Sequence, residues 1–298
     1  MSATTVPASA RMSEGRNRVR HAKGPGVPLR TAQGVVLVLF ICFVLGPYAI
    51  MLLTSLTPQS QLVAAGSSII PAHPTAQAYS ELVSTTPFLT YLRNSALVAL
   101  MAVPITLVFA TGAAIALSRF EFRGKKAFMT GMLLAQMFPA VLLVISLQDQ
   151  LNTLHLINTL PGLALVHAAF ATPFSTWLLK GFADSIPKEL EEAGSIDGAN
   201  HWQIIRSLLL PLLLPGMVAA GVYAFIQTWN EFLYALTFQS STDTRTLPVG
   251  LQLFIGDYQI RWDLLTASGV LSVIPVIVGF LIVQKYLVAG LAAGAVKG

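Results

Sequence analysis

The residues best suited to hold a ligand form one polar stripe near position 230. Tyr223, Gln227, Asn230 and Tyr234 recur at i, i+4, i+7 and i+11, which places them on one helical face, with Glu231 beside it. Hydroxyl, amide and aromatic groups on one face suit a neutral polyhydroxylated ligand, whose hydroxyls need donors and acceptors and whose rings stack on aromatic side chains. The stripe is therefore predicted to line a substrate path, and packing on a second membrane subunit explains it equally well.

Sequence patterns for covalent catalysis or metal binding are absent. The chain has no G-x-x-x-x-G-K-[ST], no H-E-x-x-H and no G-x-S-x-G, and Gly124-Lys125-Lys126 lacks the upstream glycine loop of a phosphate site. The single cysteine, Cys42, lies inside an apolar run, which excludes a disulfide framework. We therefore expect no catalytic residue, no metal site and no cofactor bound by this chain, which cannot hydrolyse ATP alone.

The composition indicates an integral membrane protein. The 298 residues are 54% hydrophobic and only 10% charged, with a mean hydropathy of +0.69, whereas charged residues make up about a quarter of a soluble domain. A net charge of +5 could suggest a nucleic-acid partner. The basic residues follow the loops between apolar runs instead of forming one patch, so lipid is expected as a partner and nucleic acid is not.

Six runs reach the length of about 20 residues that a helix needs to cross hydrocarbon. The predicted spans are residues 35–56, 95–117, 127–147, 160–179, 208–238 and 264–283. They predict an all-α fold with a six-helix transmembrane domain over residues 33–288. Within these spans Gln136 and His167 are single polar residues, which we interpret as interhelical hydrogen-bonding groups.

The basic residues define the topology. All but three of the 18 Lys and Arg residues lie in the first 32 residues, in the loop 118–126, in the central loop or near the C-terminus, and the exceptions are Arg93, Arg245 and Arg261. By the positive-inside rule both termini and the loop 185–207 are cytoplasmic. Residues 1–32 are predicted to be a disordered basic tail, and residues 289–298 a C-terminal cytoplasmic tail.

The first half of the central loop is predicted to form a short helix. Pro187 suits a first turn, three glutamates follow where the helix dipole favours negative charge, and Gly198 ends the helix. Its positions i, i+3, i+4 and i+7 form one narrow face of mostly small residues that another backbone can approach. This face consists of Leu190, Ala193, Gly194 and Asp197.

The second half is predicted to form another helix that enters the membrane. Asn200 and Gln203 have the spacing of a capping box. The predicted apolar stripe of this helix is Trp202, Ile205 and Leu209. Pro211 and Pro215 are expected to bend the chain at the membrane. Two short helices with exposed acids indicate a docking surface, with an amphipathic hairpin at the membrane interface as the alternative.

These residues resemble the EAA signature of the membrane subunits of bacterial ABC importers. Glu192-Ala193-Gly194 is followed after three residues by Gly198, and after eleven more by Leu210-Pro211. The family usually has a second Ala where this chain has Gly194, and both residues are small. The resemblance implies a coupling helix seated in a cleft of a cytoplasmic ATPase. The implied coupling residues are Glu192, Ala193, Gly194, Asp197, Gly198, Leu210 and Pro211.

Two further stretches resemble the carbohydrate-uptake branch of that family. Trp229-Asn230-Glu231-Phe232 is similar to the tract that follows the EAA loop, and Glu231 is interpreted as a partly solvated hydrogen-bonding group in preference to a proton relay. The closing AGLAAGAVKG is similar to the C-terminus of the maltose-type permease, which implies contact between the tail and the ATPase subunits. The implied contact residues are Gly294, Val296, Lys297 and Gly298, and a frayed end is the alternative.

The resemblance implies a type I ABC importer permease in a bacterial cytoplasmic membrane, which is not itself an enzyme. Its expected partners are a second permease, two ATP-binding subunits that use ATP and Mg²⁺, an extracytoplasmic solute-binding protein, and a sugar or oligosaccharide substrate. An importer for another solute, such as a glycerol-phosphate-like compound, an amino acid or a peptide, is one alternative. The other is an ion-coupled secondary transporter, for which Glu231 would be the membrane acid.

Overall fold

The computed structural model describes residues 27–64, 70–256 and 259–295, with side chains described between residues 31 and 285 of those ranges. In these ranges the chain folds as helices joined by turns. The helices are α1 (Val27–Ser55), α2 (Gln59–Leu62), α3 (Gln77–Thr85), α4 (Phe88–Arg119), α5 (Lys125–Gln136), α6 (Ala140–Thr153), α7 (Leu160–Asp184), α8 (Glu189–Ile196), α9 (His201–Ile204), α10 (Leu210–Trp229), α11 (Leu233–Phe238), α12 (Leu247–Gln252) and α13 (Trp262–Ala295). A π-helical turn, Ile205–Leu209, joins α9 to α10.

The predicted six-span, all-α class is confirmed. Five helical segments are long and apolar enough to cross a membrane, and the bent pair α5 and α6 passes the same test when its two helices are taken together as one span. The five segments are Thr31–Ser55, Phe88–Arg119, Leu160–Asp184, His201–Trp229 and Trp262–Lys285. The chain divides at Pro47, inside α1, into two units, of which the second contains every contact described below.

Two predicted spans differ from the structure. The run 127–147 is not one straight helix, because α5 ends at Gln136 and α6 begins at Ala140 with a bend of 99° between them. Pro139 explains the break, since the residue before a proline is disfavoured in the α-helical conformation. The run 208–238 is also too long, because α10 ends at Trp229 and α11 is a separate short helix.

Helices extend into both of the predicted tails. α1 begins at Val27, inside the stretch 1–32 that was assigned to a disordered tail, while residues 1–26 lie outside the described residues. α13 continues to Ala295, past the predicted start of the C-terminal tail at position 289. Hydropathy marks where a helix enters lipid, whereas a helix continues for as long as its backbone hydrogen bonds do.

Small residues let α4, α7 and α10 pack against one another. Apolar helices gain little from mutual burial in lipid, so their association depends on close approach. On α4 and α10 the buried small residues recur every four positions, as in a small-x-x-x-small motif. On α7 the buried small residues recur every three or four positions. They are Ala102, Thr106, Ala110 and Ala114 on α4, Ala164, Ala168, Ala171 and Ser175 on α7, and Gly216, Ala220, Ala224 and Thr228 on α10.

One end of α4 is joined to the segment before α12 by buried polar groups. The Asn94 amide nitrogen donates to the carbonyl oxygens of Asp243 and Arg245, at 2.7 and 2.9 Å. Leu247 N donates to Ser95 Oγ at 2.8 Å. These bonds satisfy backbone groups that would otherwise be buried without partners. The segment before α12 is thereby held against α4.

An ion-pair cluster joins α3 to the start of α13. Arg261 donates to both carboxylate oxygens of Glu81, at 2.8 and 3.0 Å, and to those of Asp263, at 3.0 and 2.9 Å. The hydrogen bonds that Arg261 donates to Asp263 and Glu81 raise the pKa of Arg261 above its ordinary value. A bidentate guanidinium contact fixes direction as well as distance. The cluster therefore fixes α3 relative to the membrane segment α13.

Gly250 is predicted to be required for the close contact between α12 and α4. A Cβ atom at this position would lie 2.1 Å from Cδ2 of Tyr91, which is buried. Gly250→Ala should therefore destabilise the fold by about 1–3 kcal/mol, the usual cost of overpacking. The midpoint of thermal unfolding in detergent measures this effect. Gly112→Ala is the control, because Gly112 lies on α4 with open space around it, and its midpoint should stay equal or rise. Equal midpoints for both variants would contradict the proposed close packing.

Candidate functional site

The predicted short helix in the central loop is α8. It begins directly after Lys188 with Glu189, Glu191 and Glu192 in its first turn. Gly198 has φ +84°, a left-handed conformation that favours glycine and ends the helix. The predicted end of this helix is confirmed, whereas its start lies two residues later than predicted, so that Pro187 is outside the first turn.

The second helix of this hairpin, α9, starts at the predicted capping box. Gln203 N donates to Asn200 Oδ1 at 2.9 Å, and Asn200 N donates to Gln203 Oε1 at 2.8 Å. The π-helical turn then ends two positions before Pro211, whose ring and missing N–H do not fit a regular helical interior. The chain thus continues from α9 into α10 as one helical segment, His201–Trp229.

The two predicted faces of the hairpin are partly wrong. Gly194 lies toward α9, since a Cβ there would be at an ordinary contact distance of 3.6 Å from Ile204 Cγ1. Trp202 is 66% exposed and does not join the buried stripe, which contains Ile204 and Leu209. A four-residue helix cannot bury every apolar position, and hydrophobic spacing alone does not show which one remains outside.

The outer surface of the hairpin combines acids with large apolar side chains. Glu192, Ala193 and Asp197 are exposed, as are Ile196 at 86% and Trp202 at 66%. Exposed aromatic and aliphatic side chains beside charges are typical of a protein-binding surface. Ile196 was missed from the sequence because it falls outside the predicted face.

Apolar packing attaches the base of the hairpin to the helix bundle. Ile204 and Leu209 pack in one buried cluster with Ile115 of α4, Ala183 of α7 and Leu213 of α10. Movement of α9 therefore reaches all three of the closely packed helices.

Arg119, the last residue of α4, adds a polar attachment. Its Nε donates to Glu191 Oε1 on α8, and its Nη1 and Nη2 donate to the carbonyl oxygens of Ala183 and Ile186 at 2.9 and 3.2 Å. Nη1 also reaches Ser118 Oγ at 2.9 Å. The Arg119 and Glu191 side chains are only 10% and 21% exposed. From the sequence, Arg119 contributed only to the prediction of membrane topology.

The polar stripe is shorter than predicted. On α10, Gln227 Nε2 donates to Tyr223 OH at 3.2 Å, and Asn230 Nδ2 donates to the Ile226 carbonyl at 3.0 Å. Gln227 and Asn230 are exposed, but Tyr234 lies beyond the end of α10 and is buried. The predicted continuous face therefore ends at Asn230.

Tyr234 instead supports the break between α5 and α6. Its hydroxyl donates to the Ala140 carbonyl at 3.2 Å, and its ring stacks on Phe170 and Phe238 with centroids 5.1 and 5.7 Å apart. Gln136 Nε2 donates to the Phe170 carbonyl at 2.6 Å, which confirms its predicted interhelical role.

Comparison with known proteins identifies the family. Residues 102–292 match the family model described as "Binding-protein-dependent transport system inner membrane component". The chain belongs to this family. Two similar proteins are the trehalose/maltose transport system permease MalG of Thermococcus litoralis, 35% identical over 89% of this chain and 95% of the relative, and the sulfoquinovosyl glycerol transport system permease SmoH of Agrobacterium fabrum, 34% identical over 92% and 95%.

A third relative and a solved structure agree with this assignment. The diacetylchitobiose uptake system permease DasC of Streptomyces coelicolor is 34% identical over 88% of this chain and 94% of the relative. The fold matches a chain in the crystal structure of a bacterial ABC transporter involved in the import of the polysaccharide alginate. That match has a TM-score of 0.74 at 24% identity, and covers 87% of this chain and 96% of that chain.

The protein is thus an ABC importer permease, a multi-pass subunit of the inner membrane. A permease has no catalytic role, and ATP hydrolysis belongs to a partner ATPase. Of the implied tail residues, Gly294 lies in α13, whereas Val296, Lys297 and Gly298 lie outside the described residues.

Glu231 of the permease acts as a cap for α11. Its Oε1 accepts from Tyr234 N at 2.8 Å and its Oε2 from Ala235 N at 3.1 Å. His167 is buried, with Nε2 3.8 Å from the same carboxylate. Both oxygens are therefore used to satisfy the free N–H groups at a helix start. This matches the prediction of a partly solvated hydrogen-bonding acid.

The capping role predicts that Glu231→Gln keeps most of the uptake activity, within about threefold, because the amide oxygen still accepts one of the two backbone hydrogen bonds and only the other is lost. Glu231→Ala should cost about 1 kcal/mol of stability through loss of the cap. Uptake and thermal unfolding of the assembled complex measure the two effects. If Glu231→Gln abolished uptake while leaving the unfolding midpoint unchanged, the charge itself would be needed and the acid would be a relay.

Proposed function

We propose that the permease carries a sugar or oligosaccharide across the cytoplasmic membrane by alternating access. Its complex would contain a second permease, two ATP-binding subunits that bind ATP and Mg²⁺, and an extracytoplasmic solute-binding protein. The relatives named for trehalose/maltose, sulfoquinovosyl glycerol and diacetylchitobiose support a carbohydrate substrate. The chain performs no covalent chemistry, and transport is a change in which side of the membrane the path faces.

The observation that best supports this proposal is the hairpin formed by α8 and α9. Its exposed residues Glu192, Ala193 and Asp197 dock in the ATPase subunit, together with the apolar Ile196 and Trp202. Gly194 and Gly198 set the shape of the hairpin. Leu210 and Pro211 are the first residues of α10 and follow the hairpin directly after the π-helical turn, so closure of the ATPase dimer on ATP displaces the inner end of that helix.

The substrate path follows the exposed polar face of α10. Tyr223, Gln227 and Asn230 present hydroxyl and amide groups, and the Tyr223 ring lies 4.4 Å from that of Phe174 on α7. Exposed amides within an apolar helix are unfavourable toward lipid and favour a water-filled or protein-lined path. Tyr234 is buried and Glu231 caps α11, so neither side chain lines the proposed path.

The C-terminal residues contribute a second contact with the ATPase subunits. Gly294 continues α13, and Val296, Lys297 and Gly298 follow it in sequence. The similarity of this segment to the maltose-type tail supports a position between the two ATPase subunits.

Gly198→Ala should uncouple transport from ATP hydrolysis. An alanine at φ +84° costs about 1–2 kcal/mol of backbone strain, which loosens the turn between α8 and α9. Uptake per ATP hydrolysed should fall several-fold in proteoliposomes that contain the whole complex. Gly124→Ala is the matched control, because Gly124 has φ +90° and open space but lies in the turn before α5. The coupling role would be wrong if both variants kept the wild-type ratio.

Proximity to the ATPase is a separate test. A photoreactive crosslinker at Ala193 or Ser195, both exposed on α8, should capture an ATP-hydrolysing subunit in native membranes. Capture of lipid alone would favour the amphipathic hairpin and overturn the proposed docking surface.

Gln227→Ala should change solute uptake without changing docking of the ATPase. The measurement uses maltose, trehalose and diacetylchitobiose as probes, with ATP inside the vesicles and the binding protein outside. Loss of one good hydrogen bond to the substrate should lower uptake about tenfold or less. Loss of the second permease from the purified complex would instead show that this face packs on that subunit.

A further inference from the structure

Arg119 occupies the one place where the described parts of α4, α7 and α8 meet through a single side chain. Its guanidinium donates to Glu191 on α8 and to the carbonyl oxygens of Ala183 and Ile186 at the inner end of α7. The side chain is buried to about nine-tenths. Ser118 extends the contact, because its hydroxyl donates to Asp184 Oδ1 at 2.6 Å.

We propose that Arg119 is a positioning residue that holds α8 to the helix bundle and so transmits the displacement of the coupling hairpin to α4 and α7. This inference rests on the proposed function of the hairpin. The new element is the pair Arg119 and Glu191, which attaches α8 to the helix bundle in addition to the attachment through α9.

The orientation of the acids on α8 supports this role. Glu189 and Glu192 are exposed, whereas Glu191 is half-buried and faces Arg119. Adjacent glutamates on a helix point about 100° apart, so Glu192 is free for a partner while Glu191 binds the bundle. One turn of helix thus carries an outward contact and an inward contact.

The other contacts of α8 are weaker at transmitting force in a fixed direction. Even a Cβ at Gly194 would reach Ile204 only at van der Waals distance, and the peptide chain at each end of α8 permits rotation. A buried guanidinium with several donors in a fixed plane constrains both distance and direction, which a lysine cannot reproduce.

The test compares the variants Glu191→Gln and Arg119→Gln, and the double variant, in proteoliposomes that contain the whole complex. The readouts are the amount of ATPase subunit that co-purifies, the rate of ATP hydrolysis, and maltose transported per ATP. The control variant is Glu121→Gln, which breaks the ion pair with Lys125 at the same membrane face, where Glu121 is 83% exposed.

We expect each single variant to lower transport per ATP by about two- to thirtyfold, the range that single coupling residues span, while the ATPase still co-purifies and hydrolyses ATP. The double variant should be no worse than the more severe single variant, since both remove one contact. Glu121→Gln should keep the wild-type ratio. An unchanged ratio in an assembled Glu191→Gln complex would overturn the proposal, as would loss of the ATPase from the complex, because the pair would then only maintain the docking surface.

The outcome also separates this inference from the proposed function. If Gly198→Ala uncouples transport while Glu191→Gln does not, the coupling hairpin stands and the role of Arg119 is wrong. If uptake requires no ATP in any of these complexes, the proposed function itself fails.

Discussion

In lipid, two apolar helix surfaces gain little by leaving their surroundings for each other, so α4, α7 and α10 depend on how closely their backbones can approach. The buried series Ala102, Thr106, Ala110 and Ala114 on α4 and Gly216, Ala220 and Ala224 on α10 provide that approach. At Gly216 the fit leaves no room for a methyl group, since a Cβ would lie 2.7 Å from the Phe182 ring. The hairpin, the broken spans and the polar face of α10 are all attached to this three-helix core.

A membrane span that breaks must satisfy the backbone groups that the break releases. Glu231 serves this purpose at the second break, because it accepts hydrogen bonds from two N–H groups at the start of α11. Near the first break, Tyr234 donates to the Ala140 carbonyl and so joins α11 to the start of α6. Gln227 and Asn230 remain exposed at the end of α10, and their side-chain hydrogen bonds stay within that helical segment, to Tyr223 and to the Ile226 carbonyl.

Local features of the fold could be predicted from the sequence, and features that depend on distant contacts could not. The capping box at Asn200 and the left-handed Gly198 need only neighbouring residues, and both were predicted. The breaks after Gln136 and Trp229 lie inside apolar runs, where hydropathy does not change although the helix ends. Arg119 and Glu191 are 72 positions apart, so no local pattern indicates that they pair. The small-residue series on α4 and α10 were present in the sequence, but without a known partner helix they are not distinguishable from ordinary apolar content.

The packing of α10 determines how a displacement of the hairpin can reach the polar face. The 20 residues of α10 span about 30 Å, which separates Leu210 at its inner end from Asn230 just beyond its outer end. A tilt of α10 alone would separate Gly216 from Phe182 and Ala220 from the small residues of α4, and would open voids that the surrounding side chains cannot fill. Displacement of α10 together with α4 and α7 keeps these contacts. The hairpin is attached to all three helices, through Ile204 and Leu209 in the apolar cluster and through Glu191 with Arg119. Movement of the three helices as one body is therefore the response that costs least.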